Sequence, residues 1–220
     1  MKLKYSYSGL KDFENCRRKF QYTRVLKQFK QSDTVATLYG KQVHEAFEHY
    51  IRDRTPLEQR FAHFEPYVAP LRNFSGHMLC EHEMGLREDF SPCAFDADDV
   101  WIRGIADFIS LDEAKGVARV GDFKTGKSSR YADTAQLELM AAMVMQHFPT
   151  INKVKGALLF VVAGDVIKAD YTRAQLPDIL SRWAGKSAAV ESCLETEVWN
   201  PTSSGLCKFC PLSADMCEHR

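Results

Sequence analysis

Hydrophobic periodicity changes character twice between residues 77 and 172, and that order is the strongest constraint on the fold. Three stretches have strand character: about 77 to 87, "DVWIRGIADFISLD" (99–112) and "GVARVGDFKTG" (116–126). "YADTAQLELMAAMVMQHF" then reads as a helix. "KVKGALLFVV" returns as a buried strand, and "VIKADYT" pairs with it through an Ala-Gly-Asp turn. The first three strands suggest an antiparallel meander. With the helices around them they predict an α/β domain built on a mixed sheet.

Helices are expected on both sides of this block. "SYSGLKDFENCRRKFQYTRV" reads as one helix capped by Ser8, with Leu10, Phe13, Arg17 and Phe20 at three- and four-residue steps. In "VATLYGKQVHEAFEHYIRD" the apolar stripe is Val43, Phe47, Tyr50 and Ile51, with His44 at its edge. A long helix covers roughly 173 to 195, and the tail "NPTSSGLCKFCPLSADMCEHR" is loop-like.

The 220 residues suit one domain or one domain with an appendage, and 45% hydrophobic content supports a real core. No apolar run approaches the ~18–20 residues of a membrane span, and "MKLKYSYSGLKDF" lacks the apolar region of a secretory signal. The expectation is a cytoplasmic protein that does not engage membranes. Net charge is zero, so no global basic field points to nucleic acid. Charge is nevertheless segregated. Lys11, Arg17, Arg18, Lys19, Arg24, Lys27 and Lys30 crowd one stretch, while Glu81, Glu83, Glu88, Asp89, Asp96, Asp98 and Asp99 crowd another. One surface could grip phosphates and another hold cations, or both could be solvated faces.

The most chemically loaded stretch is "RVGDFKTGK". On a strand, Asp122 and Lys124 project to one side and Phe123 to the other. Asp107, at the end of the preceding strand, can converge with Asp122 if the two strands pair. Two carboxylates and waters satisfy Mg²⁺, which polarises a scissile phosphate and acidifies a bound water. A lysine beside them can orient that water or stabilise the developing charge. The alternative is a same-face ion pair worth ~0–1 kcal/mol if exposed.

"GIAD" followed by "GDFKTGK" resembles the active-site core of PD-(D/E)xK nucleases, in particular the RecB-type branch, and the resemblance spans nearly the whole chain. It implies a restriction-endonuclease-like mixed β-sheet flanked by helices, with N-terminal helices and a C-terminal cysteine-rich tail. Within a single domain over 1–220, the helical part would cover 1–75, the nuclease core 76–195 and the tail 196–220. "GKQVHEAFE" is similar to the helix whose histidine is a metal ligand, which implies that role for His44. By the same resemblance Asp107, Asp122 and the Phe123 carbonyl would complete a Mg²⁺ or Mn²⁺ site, and Lys124 would be the catalytic lysine. Gln136 matches the glutamine of a Q-x-x-x-Y motif, which implies a DNA contact for it; here the motif reads "QLELM", with Met140 where tyrosine is usual. A first-strand glutamate assists in the family, and either Glu81 or Glu83 could match it.

Seven cysteines without an export signal argue against a disulfide framework. Cys207, Cys210 and Cys217 are clustered as metal-binding thiolates are, and a fourth ligand is needed. His219 would complete a local zinc site, whereas Cys16 would complete a four-cysteine site joining both chain ends. The RecB-type resemblance favours the second, as a [4Fe-4S] cluster. Cys80, Cys93 and Cys193 lack ligand spacing.

The sequence therefore predicts a Mg²⁺- or Mn²⁺-dependent deoxyribonuclease, an exonuclease acting on single-stranded DNA or DNA ends. Arg17, Arg18 and Lys19 are candidate DNA backbone contacts, and Phe20 and Tyr22 read as base-stacking rings or as core. The setting implied is replication, repair, recombination or CRISPR adaptation in a bacterial, archaeal or phage-infected cell, with a partner protein or a homo-oligomer open. The rival readings are a non-catalytic DNA-binding or assembly subunit and a cytosolic zinc protein.

Overall fold

Period-two patterning becomes a six-stranded sheet in the computed structural model, which describes residues 3–29 and 33–220. In chain order the helices are α1 (Tyr7–Asn15), α2 (Arg17–Phe20), α3 (Val35–Arg52), α4 (Glu65–Val68), α5 (Ala135–His147) and α6 (Leu176–Thr196). The strands are β1 (His77–Leu86), β2 (Pro92–Cys93), β3 (Ile102–Asp112), β4 (Val117–Lys124), β5 (Lys153–Phe160) and β6 (Asp165–Thr172). They lie in the order β2-β1-β3-β4-β5-β6.

The predicted meander is present: β1 pairs antiparallel with β3, and β3 with β4. The chain then crosses through α5, and β5 lies parallel to β4, with Asp122 opposite Leu158. A parallel neighbour needs such a crossover, and this makes the sheet mixed. β6 returns antiparallel along β5.

The chain divides into two compact units, Asp33–Leu180 and Met1–Ser32 together with Ser181–Arg220. In the first, the sheet buries both faces. Phe108, Phe123 and Leu159 pack with Val43 and Phe47 of α3, and the Phe47 and Phe123 rings meet edge-on at 4.8 Å. Leu137 of α5 packs against Leu158 and Phe160 on the opposite face. The α3 stripe predicted from spacing is the buried set: Val43, Phe47, Tyr50 and Ile51.

Close approach fixes one glycine. A Cβ on Gly121 would lie 2.0 Å from the ring of Phe108, its cross-strand partner, so only glycine admits that ring into the core.

In the second unit the expected continuous first helix is interrupted. Cys16 has φ −166° and ψ 110°, extended backbone that ends α1 and starts α2. Its N–H donates to the Asp12 carbonyl and its own carbonyl accepts from Phe20, so the break leaves neither group orphaned. The cap is also Ser6 rather than Ser8: its hydroxyl accepts from the Gly9 N–H at 3.2 Å. Phe13 and Phe20 are core. Phe20 stacks on Trp199 at 6.2 Å between centroids and is not a free base-stacking ring.

No helix among the described residues is long and apolar enough to cross a membrane. Lys30, the last of the predicted basic stretch, lies outside the described residues.

Candidate metal-dependent active site

Three strands supply acids to one place because their ladders open there. The β1–β3 register passes from Cys80 opposite Phe108 to His82 opposite Ala106, which brings Glu81 beside Asp107. Glu81 has φ +45°, the left-handed region that a residue with a Cβ rarely occupies. The β3–β4 ladder ends at Phe108 opposite Gly121, one step before Asp107 and Asp122. Beyond that pair the Asp107 side chain takes over, accepting the Phe123 N–H at 2.5 Å. Asp107 thus sits midway along β3, rather than at its end.

α3 adds the nitrogen ligand. Its buried stripe turns His44 toward the sheet, with Nε2 2.9 Å from the Phe123 carbonyl and Nδ1 3.4 Å from Asp107 Oδ2. A carbonyl only accepts, so Nε2 carries the proton. Among the described residues, His44, Glu81 and Asp107 form the one trio whose ligand atoms lie within 4.8 Å of one another. Ligands across an octahedral Mg²⁺ stand about 4.2 Å apart, so the trio and the neighbouring carbonyl suit an oxygen-preferring cation after a small contraction. His44 and Glu81 open into a cavity of about 620 Å³ that Lys41, Glu45, Glu48 and Thr125 also line.

Asp122 and Lys124 lie beside this trio, and α5 ties them together. Lys124 Nζ is 2.7 Å from Asp122 Oδ2 and donates to Gln136 Oε1 at 2.8 Å. The Gln136 amide nitrogen donates to Asp122 Oδ1. The ammonium apart, buried Oδ2 has no partner. The DxK alternation and the glutamine twelve residues past Lys124 therefore meet as one hydrogen-bonded triangle.

Crowded acids in a dry place resist ionisation. Burial, and then the neighbouring Asp107, push Glu81 up to about 7 and Asp122 up to about 6. Burial pushes the His44 imidazole down, but the Asp107 carboxylate facing it wins and its pKa is raised. A divalent cation would remove the frustration by pairing with all the acids at once.

The structure separates the two glutamates that strand alternation could not. Glu81 joins the trio while Glu83 is exposed. They share strand parity, and only the register against Asp107 distinguishes them. Met140 is buried, its Cε 3.2 Å from where a Cβ on Gly104 would lie.

The other predicted residues lie in the second unit. Arg18 donates to the Trp199 carbonyl at 2.9 Å, and the Arg17 guanidinium lies 5.2 Å from the centroid of the Phe13 ring. Both contribute to local packing, and Lys19 is half-buried. Cys16, Cys207 and Cys210 are half-buried free thiols and Cys217 is buried. His219 is exposed. Cys80 and Cys93 are half-buried and Cys193 is buried.

No curated protein matches the sequence. Among solved structures, one named "Putative exonuclease" from Eubacterium rectale is 19% identical, with TM-score 0.51 over 96% of this chain and 92% of that one. Another, SSO0001, is 13% identical with TM-score 0.45, over 96% of this chain and 84% of that one. The first shares the fold. The family model of the PD-(D/E)XK nuclease superfamily matches residues 4–218, nearly the full length, and the chain belongs to that superfamily.

Proposed function

We propose that this nuclease is a Mg²⁺- or Mn²⁺-dependent deoxyribonuclease of the RecB-type branch, an exonuclease working on single-stranded DNA or DNA ends. The observation that carries the reading is the meeting of His44, Glu81 and Asp107 from three elements, beside the Asp122–Lys124–Gln136 triangle. His44, Glu81, Asp107, Asp122 and the Phe123 carbonyl would hold the cation. When bound, it supplies Lewis acidity and a water of lowered pKa. Lys124, paired with Asp122 and aimed by Gln136, orients the attacking water and stabilises charge on the phosphorus oxygens. Gln136, bonded to both Lys124 and Asp122, holds the lysine in place and is the candidate DNA contact nearest to it.

In the other unit, Cys16, Cys207, Cys210 and Cys217 would hold a [4Fe-4S] cluster. Four thiolates are the donor set of an iron-sulfur cubane and also of a structural zinc, and the resemblance to the RecB-type branch favours the cubane. The Ser204 N–H already points at Cys207 Sγ at 3.4 Å, a contact that tunes cluster thiolates.

Digestion of end-labelled single- and double-stranded DNA, with Mg²⁺, Mn²⁺ or EDTA, tests the reading. Lys124→Ala should lower cleavage by about 10³-fold or more with melting unchanged, as loss of a transition-state charge partner does. Undiminished cleavage in that variant refutes the assignment. Binding of DNA without cleavage in Mn²⁺ would instead identify a non-catalytic DNA-binding subunit.

A further inference from the structure

A second cavity, of about 630 Å³, lies between the turns at 66–74 and strands β4, β5 and β6. It shares no lining residue with the cavity at His44. Arg119, on β4, alternates away from Asp122 and Lys124, so it faces this cavity from the other side of the strand. Its Nη1 is buried without a hydrogen-bond partner, and its guanidinium lies 5.1 Å from the centroid of the Phe74 ring. Lys155 and Lys168 line the same cavity, both exposed, and among the described residues neither has an ion-pair partner. The one carboxylate on the wall, Asp170, is held by Lys153 at 2.9 Å.

Three cations therefore face one space against a single carboxylate, Asp170, which lies across the ladder from Lys155 and is already engaged by Lys153, and the rest of the wall is largely apolar, with Tyr67, Phe74 and two prolines. A solvent-shielded guanidinium nitrogen with nothing to donate to is costly, and the cation it belongs to adds its charge to this wall. The Phe74 ring beside it uses none of the guanidinium's donors. The volume falls within the ~300–1,000 Å³ of small-ligand sites. We propose that this cavity binds a nucleotide, with the base against Tyr67 and Phe74 and the phosphate on Arg119, Lys155 and Lys168, separate from the cleavage centre. Two sources share that chemistry, a free mononucleotide and a nucleotide within a strand.

Titration of the full chain in EDTA with dAMP, inorganic phosphate and a short single-stranded oligonucleotide tests this, in parent protein, Lys155→Ala/Lys168→Ala and Lys124→Ala. Removal of both exposed cations should weaken binding about tenfold with unchanged melting, as two modest ion pairs would. Lys124→Ala should leave dAMP binding unaltered, so the mononucleotide result stands apart from the cleavage test. If dAMP shows the tenfold loss, the occupant is a free nucleotide; if only the oligonucleotide does, it is a strand. Binding of neither, binding insensitive to the double substitution, or phosphate bound as tightly as dAMP overturns the proposal.

Discussion

His44, Glu81 and Asp107 come from α3, β1 and β3, and each is held by an element with its own buried stripe or ladder. Cys207, Cys210 and Cys217 come from a tail whose regular structure is one short turn, Cys207–Phe209, closed by bonds such as Cys210 N–H to the Cys207 carbonyl at 2.9 Å. The sheet and α3 bring the residues of the first centre together, and the fold carries the burden of crowding its acids. The tail is anchored by buried Trp199 and Leu212 but has little regular structure between them, so in the second centre the proposed cluster would fix the cysteine-bearing segment. The crowded acids would lower the stability of the metal-free protein, and a cluster in the tail, as proposed, would raise that of the loaded protein.

The largest test of this contrast is Cys210→Ser. In anaerobically purified protein it should abolish the brown visible absorbance of an iron-sulfur cluster. Limited proteolysis should then cut within residues 197–220, with several kcal/mol of stability lost, because binding energy at a structural metal is folding energy. Intact absorbance, or a tail that resists protease without it, breaks the comparison.

Glu81→Gln should act in the opposite direction. Glu81 titrates near 4.5 when unfolded and at about 7 in the fold, so the native state holds a proton that the unfolded chain has released. Stability from this group is full below pH 4.5 and is lost as pH rises through about 7. The metal-free parent should therefore melt lower at pH 8 than at pH 5. The variant should flatten that slope and melt higher than the parent at pH 8. Cation affinity should fall about 10–100-fold by calorimetric titration with Mn²⁺, in line with loss of one oxygen ligand. Equal melting profiles would show that Glu81 is not strained by its neighbours.

The comparison also explains what was legible in the sequence. The α3 stripe, the five longer strands and the same-side placement of Asp122 and Lys124 follow from local periodicity, which a chain displays one residue at a time. The role of Glu81 does not, since it depends on which β3 residue lies across the ladder and on a left-handed backbone that a glutamate does not advertise. The hydrogen-bonded break at Cys16 is likewise invisible, because Leu10, Phe13 and Phe20 keep helical spacing across it. Met140 is buried next to Gly104, a position set by packing between α5 and β3. Register and packing are long-range quantities, and the residues that depend on them are the ones spacing left open.

The smallest expected effect sharpens the same contrast at the other end of the tail's unit. Ser6 satisfies one of the orphan donors of α1, the helix that ends at Cys16, and Ser6→Ala removes that bond without touching a thiol. The cost should be ~1 kcal/mol, which accelerates amide exchange of α1 about fivefold. Cluster absorbance should persist, since Cys16 keeps its own backbone bonds to Asp12 and Phe20. The Mn²⁺ affinity at His44, Glu81 and Asp107 should not change at all, because those ligands are fixed by α3 and the sheet. A fall in Mn²⁺ affinity with Ser6→Ala would mean that the cation site draws its order from the terminal helix, and the division of labour argued here would fail.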